Sequence, residues 1–552
     1  MTYYRDIMKK RWGSVSKGRI CNACKQQIQR DMLDRNHSIC PQCGYYTRMH
    51  ARKRILSLAD KESFREWDAN MELSNPLNDS AYAQKSVETS VKHKLNDAII
   101  TGEMNIDGSH VAIGAMDTRY MMASMGYVVG EKVTRLFEKA TKKKLPVVMF
   151  CCSGGARMQE GIISLMQMEK TAAAVRLHSE AGLLFISVLT NPTMGGVTAS
   201  FATLADIILA EKGAMIGFTG ARVIEQNLGD VLPEGFQRAE SQKKNGFIDD
   251  VLERQQIRDY LSHLLWIHCS KVEHKFVRYM HKSENGKIQD VKNNAWEKVK
   301  FARSINRPTS MDYIYKLFTH FVELSGDRVT GDDSAIVAGL AVFNGCPVTV
   351  VGHQKGKHSL QEAVYRNWGM ASPSGYRKAL RMVKQAEKFH RPVICFVDTI
   401  GAACDAKSEE HGQGWVVADI LKELSAVKTP ILSVIISEGG SGGALALAVG
   451  NEVWMLENAV YSIMTPEGYA SVLWKDNSRA SEAANLMKMR ATDLLQLGVI
   501  DRIISEGDPV TTDNMDVVCK ELKIQIDNFL RKYRKVRAKK IAEMRYDRFR
   551  KY

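Results

Sequence analysis

One pattern of residues occurs twice in this 552-residue chain, and it limits the possible folds more than any other feature. Residues 145–156 (LPVVMFCCSGGA) form an apolar run that ends in a glycine turn, and residues 391–402 (RPVICFVDTIGA) repeat it. A second apolar run follows each copy, at 186–189 and at 432–435. Because several features recur in nearly constant register, the sequence predicts two homologous α/β domains in tandem. Short β-rich runs alternate with longer amphipathic runs, which is typical of stacked β-β-α units.

Paired glycines follow the second apolar run of each copy, where the chain turns into a helix. Glycines at such a junction leave backbone N–H groups bare, and the helix N-terminus adds partial positive charge. These groups stabilise a developing oxyanion, so we predict a first and a second oxyanion hole. The alternative is that the glycines only allow close packing of helix and strand. The holes consist of Gly155, Gly195 and Gly196 in the first copy and Gly401, Gly442 and Gly443 in the second.

Four cysteines near the N-terminus have the spacing of a zinc ribbon. Cys21-x2-Cys24 and Cys40-x2-Cys43 are separated by fifteen residues, and each pair offers two thiolates from one tight turn. Four thiolates fill a tetrahedral site and leave no open position, so we expect the zinc to be structural. The ribbon either caps a domain or, with its basic neighbours, binds nucleic acid.

These patterns predict the domain organisation. A polar stretch without strand-like runs separates the two copies and is interpreted as a linker. The predicted parts are a zinc ribbon at 1–55, a first α/β domain at 56–281, a linker at 282–309 and a second α/β domain at 310–552.

Composition narrows the class of protein. Hydrophobic residues make up 45% and charged residues 25%, as in ordinary globular proteins, and no apolar run reaches the roughly 18 residues of a membrane span. The other cysteines are scattered through apolar segments, which is typical of buried thiols in a reducing compartment. We therefore expect a cytoplasmic protein.

The net charge of +15 is concentrated at the C-terminus, where residues 531–552 hold eleven Lys and Arg against two acids. The simplest interpretation is a solvated basic helix. The alternatives are a surface for the phosphates of coenzyme A, for an acidic protein partner or for nucleic acid.

Several common catalytic motifs are missing from the sequence. It contains no Gly-x-Ser-x-Gly elbow, no Walker A loop and no His-Glu-x-x-His helix. Asp398, Glu438 and Glu467 occur near the glycines of the second copy, but their spacing does not pair them as general acid and base. A reaction that depends mainly on oxyanion holes, with its base supplied elsewhere, fits this set of residues.

At these motifs the chain resembles the carboxyltransferase of bacterial acetyl-CoA carboxylase, with the beta subunit first and the alpha subunit second. The ribbon and residues 153–160 (SGGARMQE) and 187–200 are similar to the beta subunit, and 352–356 (GHQKG) and 438–446 (EGGSGGALA) are similar to the alpha subunit. Further matching segments are 216–218, 222–226, 232–238, 375–380, 462–468 and 545–548. Together the two resemblances extend over nearly the whole chain.

The resemblance implies a crotonase-like (ClpP/crotonase) fold in both domains. It also implies transfer of CO2 from carboxybiotin, carried by a separate protein, to acetyl-CoA, which gives malonyl-CoA for fatty acid synthesis. The freed ureido nitrogen of biotin is then the base. By resemblance, the first hole binds the thioester enolate and the second hole binds the ureido oxygen. The implied partners are a biotin carboxyl carrier protein, a biotin carboxylase and a second copy of this chain, with each active site between domains of different protomers.

Two segments depart from the family pattern. Asp398–Asp405 (DTIGAACD) lacks the usual proline and aromatic residue beside the second hole, and Met122–Tyr127 (MASMGY) replaces a glycine-rich segment. The acyl-CoA preference and the effect of these changes stay open. The enzymatic alternative is a relative that acts on another acyl-CoA or decarboxylates. The alternative from another class is a nucleic-acid-binding protein without catalysis, and nucleic-acid binding also stays open as a secondary activity.

Two cations near the glycine motifs are candidates for substrate binding. Arg157 and Lys355 are predicted to meet either the phosphates of coenzyme A or the carboxylate of carboxybiotin, or else to be surface charges. His353, which precedes Lys355 in the same loop, is interpreted equally well as a structural residue.

Overall fold

The structure is a computed structural model. It describes residues 18–221, 224–225, 232–269, 294–356 and 359–552. The chain divides into two compact units, which comprise residues 1–244 with 248–270 and residues 245–247 with 271–552. Each unit is built around one sheet that is parallel except at one end.

The described strands of the first unit form a two-stranded ribbon (β1–β2) and a sheet in the order β10-β8-β7-β6-β5-β4-β3, with β9 paired to β7. The strands are β1 (Arg19–Ile20), β2 (Gln27–Ile28), β3 (Arg65–Trp67), β4 (Ile99–Ile106), β5 (Ser109–Met116), β6 (Val147–Ser153), β7 (Phe185–Met194), β8 (Ile207–Glu211), β9 (Ile216–Gly217) and β10 (Asp250–Leu252). The helices are α1 (Arg30–Arg35), α2 (Ala51–Leu58), α3 (Ser80–His93), α4 (Tyr127–Lys143), α5 (Ile162–Glu180), α6 (Gly195–Thr198), α7 (Ala239–Lys244) and α8 (Ile257–Cys269).

The second unit has the same strand order, β11-β12-β13-β14-β15-β16-β18, with β17 paired to β15. Its strands are β11 (Thr319–Glu323), β12 (Ile336–Phe343), β13 (Cys346–His353), β14 (Val393–Thr399), β15 (Ile431–Gly440), β16 (Glu452–Leu456), β17 (Val460–Ser462) and β18 (Arg502–Ile504). Its helices begin with α9 (Ala295–Ala302), α10 (Ser310–Leu317), α11 (Leu360–Tyr365), α12 (Pro373–Lys388), α13 (Ala406–Glu410) and α14 (Gln413–Ala426). They continue with α15 (Ser441–Ala448), α16 (Pro466–Trp474), α17 (Ala480–Leu486), α18 (Ala491–Gln496), α19 (Asp516–Arg534) and α20 (Ala538–Arg550).

Each sheet contains one long hairpin, and turn residues in the sequence explain both. Asp107 and Gly108 join β4 to β5 with φ angles of 49° and 78°, and Asn344 and Gly345 join β12 to β13 with φ angles of 47° and 79°. Asp-Gly and Asn-Gly favour the two-residue turn in which both central residues have positive φ. Both hairpins therefore begin their sheets in the same way.

The parallel centre of each sheet is fully buried, as strands covered on both faces must be. All seven residues of β6 and all seven of β14 are buried. Val147 pairs with Phe185 in the first unit, and Val393 pairs with Ile431 in the second. The predicted pair of tandem α/β domains is confirmed by these two sheets.

The boundary between the domains stays a prediction, because residues 270–293 lie outside the described residues. The described part of the predicted linker, residues 294–309, belongs to the second unit. There, Ala295, Val299 and Ala302 of α9 are buried in a hydrophobic cluster. Arg307 is buried too and pairs with both carboxylate oxygens of Glu506, at 2.8 and 3.0 Å. The matching segment 222–226 also lies mainly outside the described residues.

The basic C-terminal segment is partly built into the second unit. Arg545 of α20 is fully buried and donates to the main-chain oxygens of Leu424, Val427 and Thr429 at 2.6–2.8 Å. It also donates to the side chain of Asn451. This arginine therefore fixes the C-terminal helix to the end of α14 and to the loops that lead into β15 and β16, whereas Arg550 on the same helix is exposed. Among the described residues, none of the helices combines the length and hydrophobicity needed to cross a bilayer.

We predict that Arg545→Ala lowers the free energy of unfolding of the second unit by about 3 kcal/mol, since each buried acceptor left without a donor costs about 1–3 kcal/mol. Urea denaturation followed by circular dichroism measures this change. The matched control, Arg550→Ala, is expected to stay within about 0.5 kcal/mol of the wild-type protein. Equal effects of the two substitutions would contradict this account of the helix.

Candidate functional site

The two glycine turns have the same hydrogen bonds. In the first unit, the Ser153 hydroxyl accepts from the Gly155 N–H at 2.9 Å and donates to the Gly155 carbonyl at 3.1 Å. In the second unit, the Thr399 hydroxyl accepts from the Gly401 N–H at 3.1 Å and donates to the Gly401 carbonyl at 2.6 Å. A hydroxyl at the last position of β6 or β14 therefore sets the turn that follows.

A second pair of contacts orients the residue after each turn. Arg157 N–H donates to the carbonyl of Met125 at 2.9 Å, and Ala403 N–H donates to the carbonyl of Ala371 at 3.0 Å. In the first unit these bonds form a parallel bridge that uses the Gly155 carbonyl and the Arg157 N–H. The N–H of the intervening Ala156 lies outside that bridge, and Ala402 has the equivalent position in the second unit.

The paired glycines approach these turns closely. A Cβ atom on Gly195 would lie 2.9 Å from the Cα of Gly155. A Cβ atom on Gly443 would lie 2.3 Å from the backbone nitrogen of Ala402 and 2.5 Å from the carbonyl carbon of Gly401. Real Cβ atoms do not come this close to other atoms, so only glycine fits at Gly195 and Gly443. The alternative role of the glycines, close packing of helix and strand, therefore holds for these two residues. The close approach also brings the start of the helix beside the N–H of the turn.

Strand pairing in the structure aligns the two copies with one constant offset in residue number. This alignment changes which residue of the second copy corresponds to each glycine of the first copy. Ser153 pairs with Thr193, and Thr399 pairs with Gly439, so the residue two positions later is Gly195 in one copy and Ser441 in the other. Both have positive φ, 61° for Gly195 and 56° for Ser441. A serine thus has the left-handed conformation that glycine has in the first copy.

The counterpart of Gly196 is therefore Gly442, and each is the second residue of its helix. The first N–H groups of a helix have no partner within the helix. The N–H groups of Gly155 and Gly401 donate to the Ser153 and Thr399 hydroxyls, and that of Gly195 donates to the Phe218 carbonyl. The candidate donors are therefore the N–H groups of Ala156 and Gly196 for the first predicted hole and those of Ala402 and Gly442 for the second. Because α6 is a single turn, positioned N–H groups rather than a helix dipole are the main electrostatic feature of the first hole.

Arg157 does not face solvent, contrary to what substrate binding would require. Its side chain is fully buried and forms two bonds to Asp97, at 2.5 and 2.8 Å. It also contacts Glu160 at 3.2 Å and donates to the main chain of Ser124 at 2.8 Å. Glu160 in turn accepts from the N–H of Tyr127 at 2.6 Å. This geometry argues against contact with a phosphate and places Arg157 as a support of the segment after the first hole.

Lys355 is also engaged by protein groups. Its ammonium lies 2.8 Å from Asp398 and 2.7 Å from Glu438, and 17% of its side-chain surface is exposed. Neighbouring His353 is fully buried, and burial lowers its pKa to about 3, so its imidazole is neutral at physiological pH. Lys355 therefore neutralises acids at the ends of β14 and β15, and His353 is placed as a structural residue.

The segment that departs from the family pattern packs against the second hole. A Cβ on Gly440 would lie 2.0 Å from the main-chain oxygen of Ile400, whereas a Cβ on Gly401 would meet no atom within 4 Å. Asp405 caps α13 by accepting from the N–H of Ser408 at 3.0 Å. The altered residues thus keep a closely packed turn, and open space remains beside Gly401.

The four N-terminal cysteines converge, and their two turns match. Lys25 N–H donates to the Cys21 carbonyl at 3.0 Å, and Gly44 N–H donates to the Cys40 carbonyl at 2.9 Å. Lys25 and Gly44 both have positive φ, 60° and 72°. Glycine adopts this conformation without strain, which explains why only the second turn is evident from its sequence.

The distances between the sulfurs suit a single metal ion. Cys21 and Cys43 are 3.7 Å apart at Sγ, Cys24 and Cys40 are 3.8 Å apart, and all four sulfurs lie within 4.8 Å of one another. Tetrahedral coordination with Zn–S bonds of about 2.3 Å places sulfurs about 3.8 Å apart. The cysteines therefore fit one tetrahedral ion.

A buried ion triad attaches this ribbon to the first sheet. Arg54 and Arg254 both pair with Glu211 at the end of β8, at 2.6 and 2.7 Å. Arg254 also donates to the carbonyls of Ser38 and Thr47, on either side of the second cysteine pair. Although burial opposes it, the two arginines lower the pKa of Glu211 to about 2. The ribbon is thus fixed to the first sheet by hydrogen bonds from Arg254 to its main chain.

Comparison with known proteins gives a consistent set of relatives. Residues 267–552 match the family model described as acetyl co-enzyme A carboxylase carboxyltransferase-like. A protein of Natranaerobius thermophilus named acetyl-coenzyme A carboxylase carboxyl transferase subunits beta/alpha is 48% identical, over 96% of this chain and 90% of that protein. A protein of Clostridium tetani with the same name is 47% identical, over 96% and 92%.

Solved structures share the fold at lower sequence identity. A transcarboxylase 12S structure with methylmalonyl-coenzyme A and methylmalonic acid bound has a TM-score of 0.70 at 22% identity, over 88% of this chain and 90% of that one. A single-chain, multi-domain long-chain acyl-CoA carboxylase has a TM-score of 0.67 at 18% identity, over 90% of this chain and 47% of that one. The predicted pair of crotonase-like domains is thereby confirmed.

We predict that Cys21→Ser removes the metal and loosens the ribbon but leaves both sheets folded, because Arg54, Arg254 and the sheet core lie outside the cysteine cluster. Metal analysis and circular dichroism measure the two effects. The control, Cys404→Ser, removes a thiol outside the cluster and is expected to retain one metal per chain. Global unfolding of Cys21→Ser would contradict a peripheral role for the ribbon.

Proposed function

This chain belongs to the acetyl-coenzyme A carboxylase carboxyl transferase family, in the form that joins the beta and alpha subunits, and we propose that its two oxyanion holes divide one reaction between them. It is a biotin-dependent carboxyltransferase, the component of acetyl-CoA carboxylase that carboxylates acetyl-CoA to malonyl-CoA. The observation that carries the proposal is the recurrence of one arrangement in each unit: a glycine turn that is bonded to the hydroxyl of Ser153 or Thr399 and packs closely against the start of a helix.

The first hole binds the thioester oxygen of acetyl-CoA. The N–H groups of Ala156 and Gly196 are fixed in place by the Ser153 hydroxyl and by the close contact of Gly195 with Gly155. When the methyl group loses a proton, negative charge develops on that oxygen. Donors that are already oriented stabilise the charge without reorganisation, and each is worth about 2.7–4 kcal/mol.

The second hole binds the ureido oxygen of biotin. The N–H groups of Ala402 and Gly442 are fixed by the Thr399 hydroxyl and by the contact of Gly443 with the Gly401–Ala402 peptide. Biotin, when bound, supplies both the carboxyl group and the base. The residues of this chain hold the ureido oxygen and the thioester oxygen in fixed positions. Besides stabilisation of the oxyanion, this positioning of the two reactants is the other main contribution to the rate.

The remaining parts of the proposal concern the metal and the partners. We assign the four-cysteine site to structural zinc, because four thiolates leave no open coordination position. The carboxyl donor is a carrier protein charged by a biotin carboxylase, and both are separate chains. The functional protein is at least a homodimer, equivalent to two beta and two alpha subunits, and is cytoplasmic. The family resemblance supports these assignments.

We predict that Gly401→Val lowers the rate of the reverse reaction about 10²-fold, because the added carbons fill the open space beside the Ala402 N–H while meeting no neighbouring atom at Cβ. The measurement is release of acetyl-CoA from malonyl-CoA and biocytin, with methylmalonyl-CoA in parallel to test the acyl preference. The control is Gly414→Ala, a helix glycine whose Cβ also meets open space, and it is expected to keep full activity.

Two results would contradict the proposal. If the folded, metal-loaded protein turned over no acyl-CoA with biocytin, this chain would not be an active carboxyltransferase. If Gly401→Val retained wild-type activity, the second hole would not lie beside Gly401.

A further inference from the structure

We propose that Lys355 is a positioning residue for the second oxyanion hole, acting through Asp398 and Glu438 rather than through contact with a substrate. This inference rests on the proposed function. It reassigns a side chain for which the sequence predicts substrate binding.

The two acids lie just before the segments that form the hole. Asp398 is one residue before Thr399, whose hydroxyl sets the Gly401 turn. Glu438 is three residues before Ser441, where β15 becomes α15. Lys355 pairs with both acids, at 2.8 and 2.7 Å. One cation therefore joins the ends of the two strands from which both N–H donors of the hole come.

A second cation extends the cluster to a third acid. Arg303, which follows α9, pairs with Glu438 at 2.7 Å and with Glu467 at 2.6 Å. The Glu438 N–H also approaches the Asp398 carboxylate, at 3.3 Å. The cluster thus has three acids and two bases, and its buried end consists of Lys355, Asp398 and Glu438.

Electrostatics explains why the lysine is needed at this place. Burial raises the pKa of Asp398 in spite of Lys355, whereas Lys355 and Arg303 keep the pKa of Glu438 below its usual value although burial opposes them. Without Lys355, two buried carboxyl groups would face each other with no shared cation. Repulsion or protonation would then change the distance between the ends of β14 and β15.

In the first unit, uncharged residues have the positions of the two acids. Cys152 has the position of Asp398, and Pro192 has the position of Glu438. There the Thr190 and Thr193 hydroxyls both donate to the Cys151 carbonyl, at 2.9 and 3.0 Å. Since the fold makes this turn without acids at these two positions in one unit, the two acids of the other unit are not a requirement of the fold.

Buried ion pairs are also a poor source of stability, because desolvation offsets most of their attraction. A cluster of this kind is better explained by the precise geometry that it imposes on its surroundings. Gly369 supports this view, since a Cβ there would lie 2.6 Å from the Asp398 main-chain oxygen and 3.2 Å from the Lys355 side chain. Gly369 is therefore packed closely against both Asp398 and Lys355.

The test is Lys355→Met, assayed in the malonyl-CoA and biocytin reaction with the full-length protein. We expect kcat to fall at least tenfold, while the Kd of malonyl-CoA, measured by calorimetry without biocytin, stays within twofold of wild type. Lys355→Arg keeps a cation between the two acids and is expected to recover part of the lost rate. A substitution that merely loosened the fold would change all of these quantities together.

The matched control is Lys378→Met. Lys378 is another ion-paired lysine of the second unit and is fully buried, but it pairs with Asp332 at 2.8 Å and donates to the Ile336 carbonyl. It is expected to keep wild-type kcat if it folds. Should Lys355→Met fail to fold, Glu438→Gln provides the test, because it preserves side-chain shape and removes the negative charge that pairs with Lys355 and Arg303.

The outcomes separate this inference from the proposed function. No turnover by the wild-type protein would overturn the proposed function. Wild-type activity with an unchanged kcat in Lys355→Met would overturn the inference alone. Loss of malonyl-CoA binding in Lys355→Met would overturn it too, since it would indicate direct contact with the substrate.

Discussion

The second hole depends on a contact between two backbones that leaves no room for a side chain. Gly443 lies against the Gly401–Ala402 peptide, and in the first unit Gly195 lies against Gly155. At each contact a turn that follows one strand meets a helix that follows the next strand. The start of the helix is thereby placed beside the backbone of the turn. The remaining features of each site, from the hydroxyl at the end of β6 or β14 to the buried ions, hold these two segments together.

The two units maintain this contact by different means. Threonine hydroxyls bond to a carbonyl in the first unit, whereas Lys355, Asp398 and Glu438 lie at the corresponding place in the second. The difference agrees with the division of labour that we propose, in which one hole receives a thioester and the other a cyclic urea. A duplicated fold thus keeps its backbone geometry while the side chains behind each hole have diverged.

Much of the fold could be predicted from the sequence, because its repeat, its buried strands and its cysteine spacing are local patterns. Other features depend on tertiary contacts. Ser441 has the backbone conformation of Gly195, but the visible Gly-Gly pairs favour an alignment that is shifted by one residue. The burial of Arg157 and the pairing of Lys355 depend on Asp97, Asp398 and Glu438, which no local pattern connects to them. From the sequence, both cations are therefore predicted to bind a substrate, although in the structure they pair with acids of the protein itself.

The central claim is that two N–H pairs, one in each unit, bind two different oxygens. A crystal structure of the full-length protein with acetyl-CoA and biotin tests it most directly. The account predicts the thioester oxygen within about 2.7–3.1 Å of the Ala156 and Gly196 nitrogens, and the ureido oxygen at the same distance from the Ala402 and Gly442 nitrogens. A thioester oxygen bound in the second unit, or either oxygen bound away from these nitrogens, would contradict it.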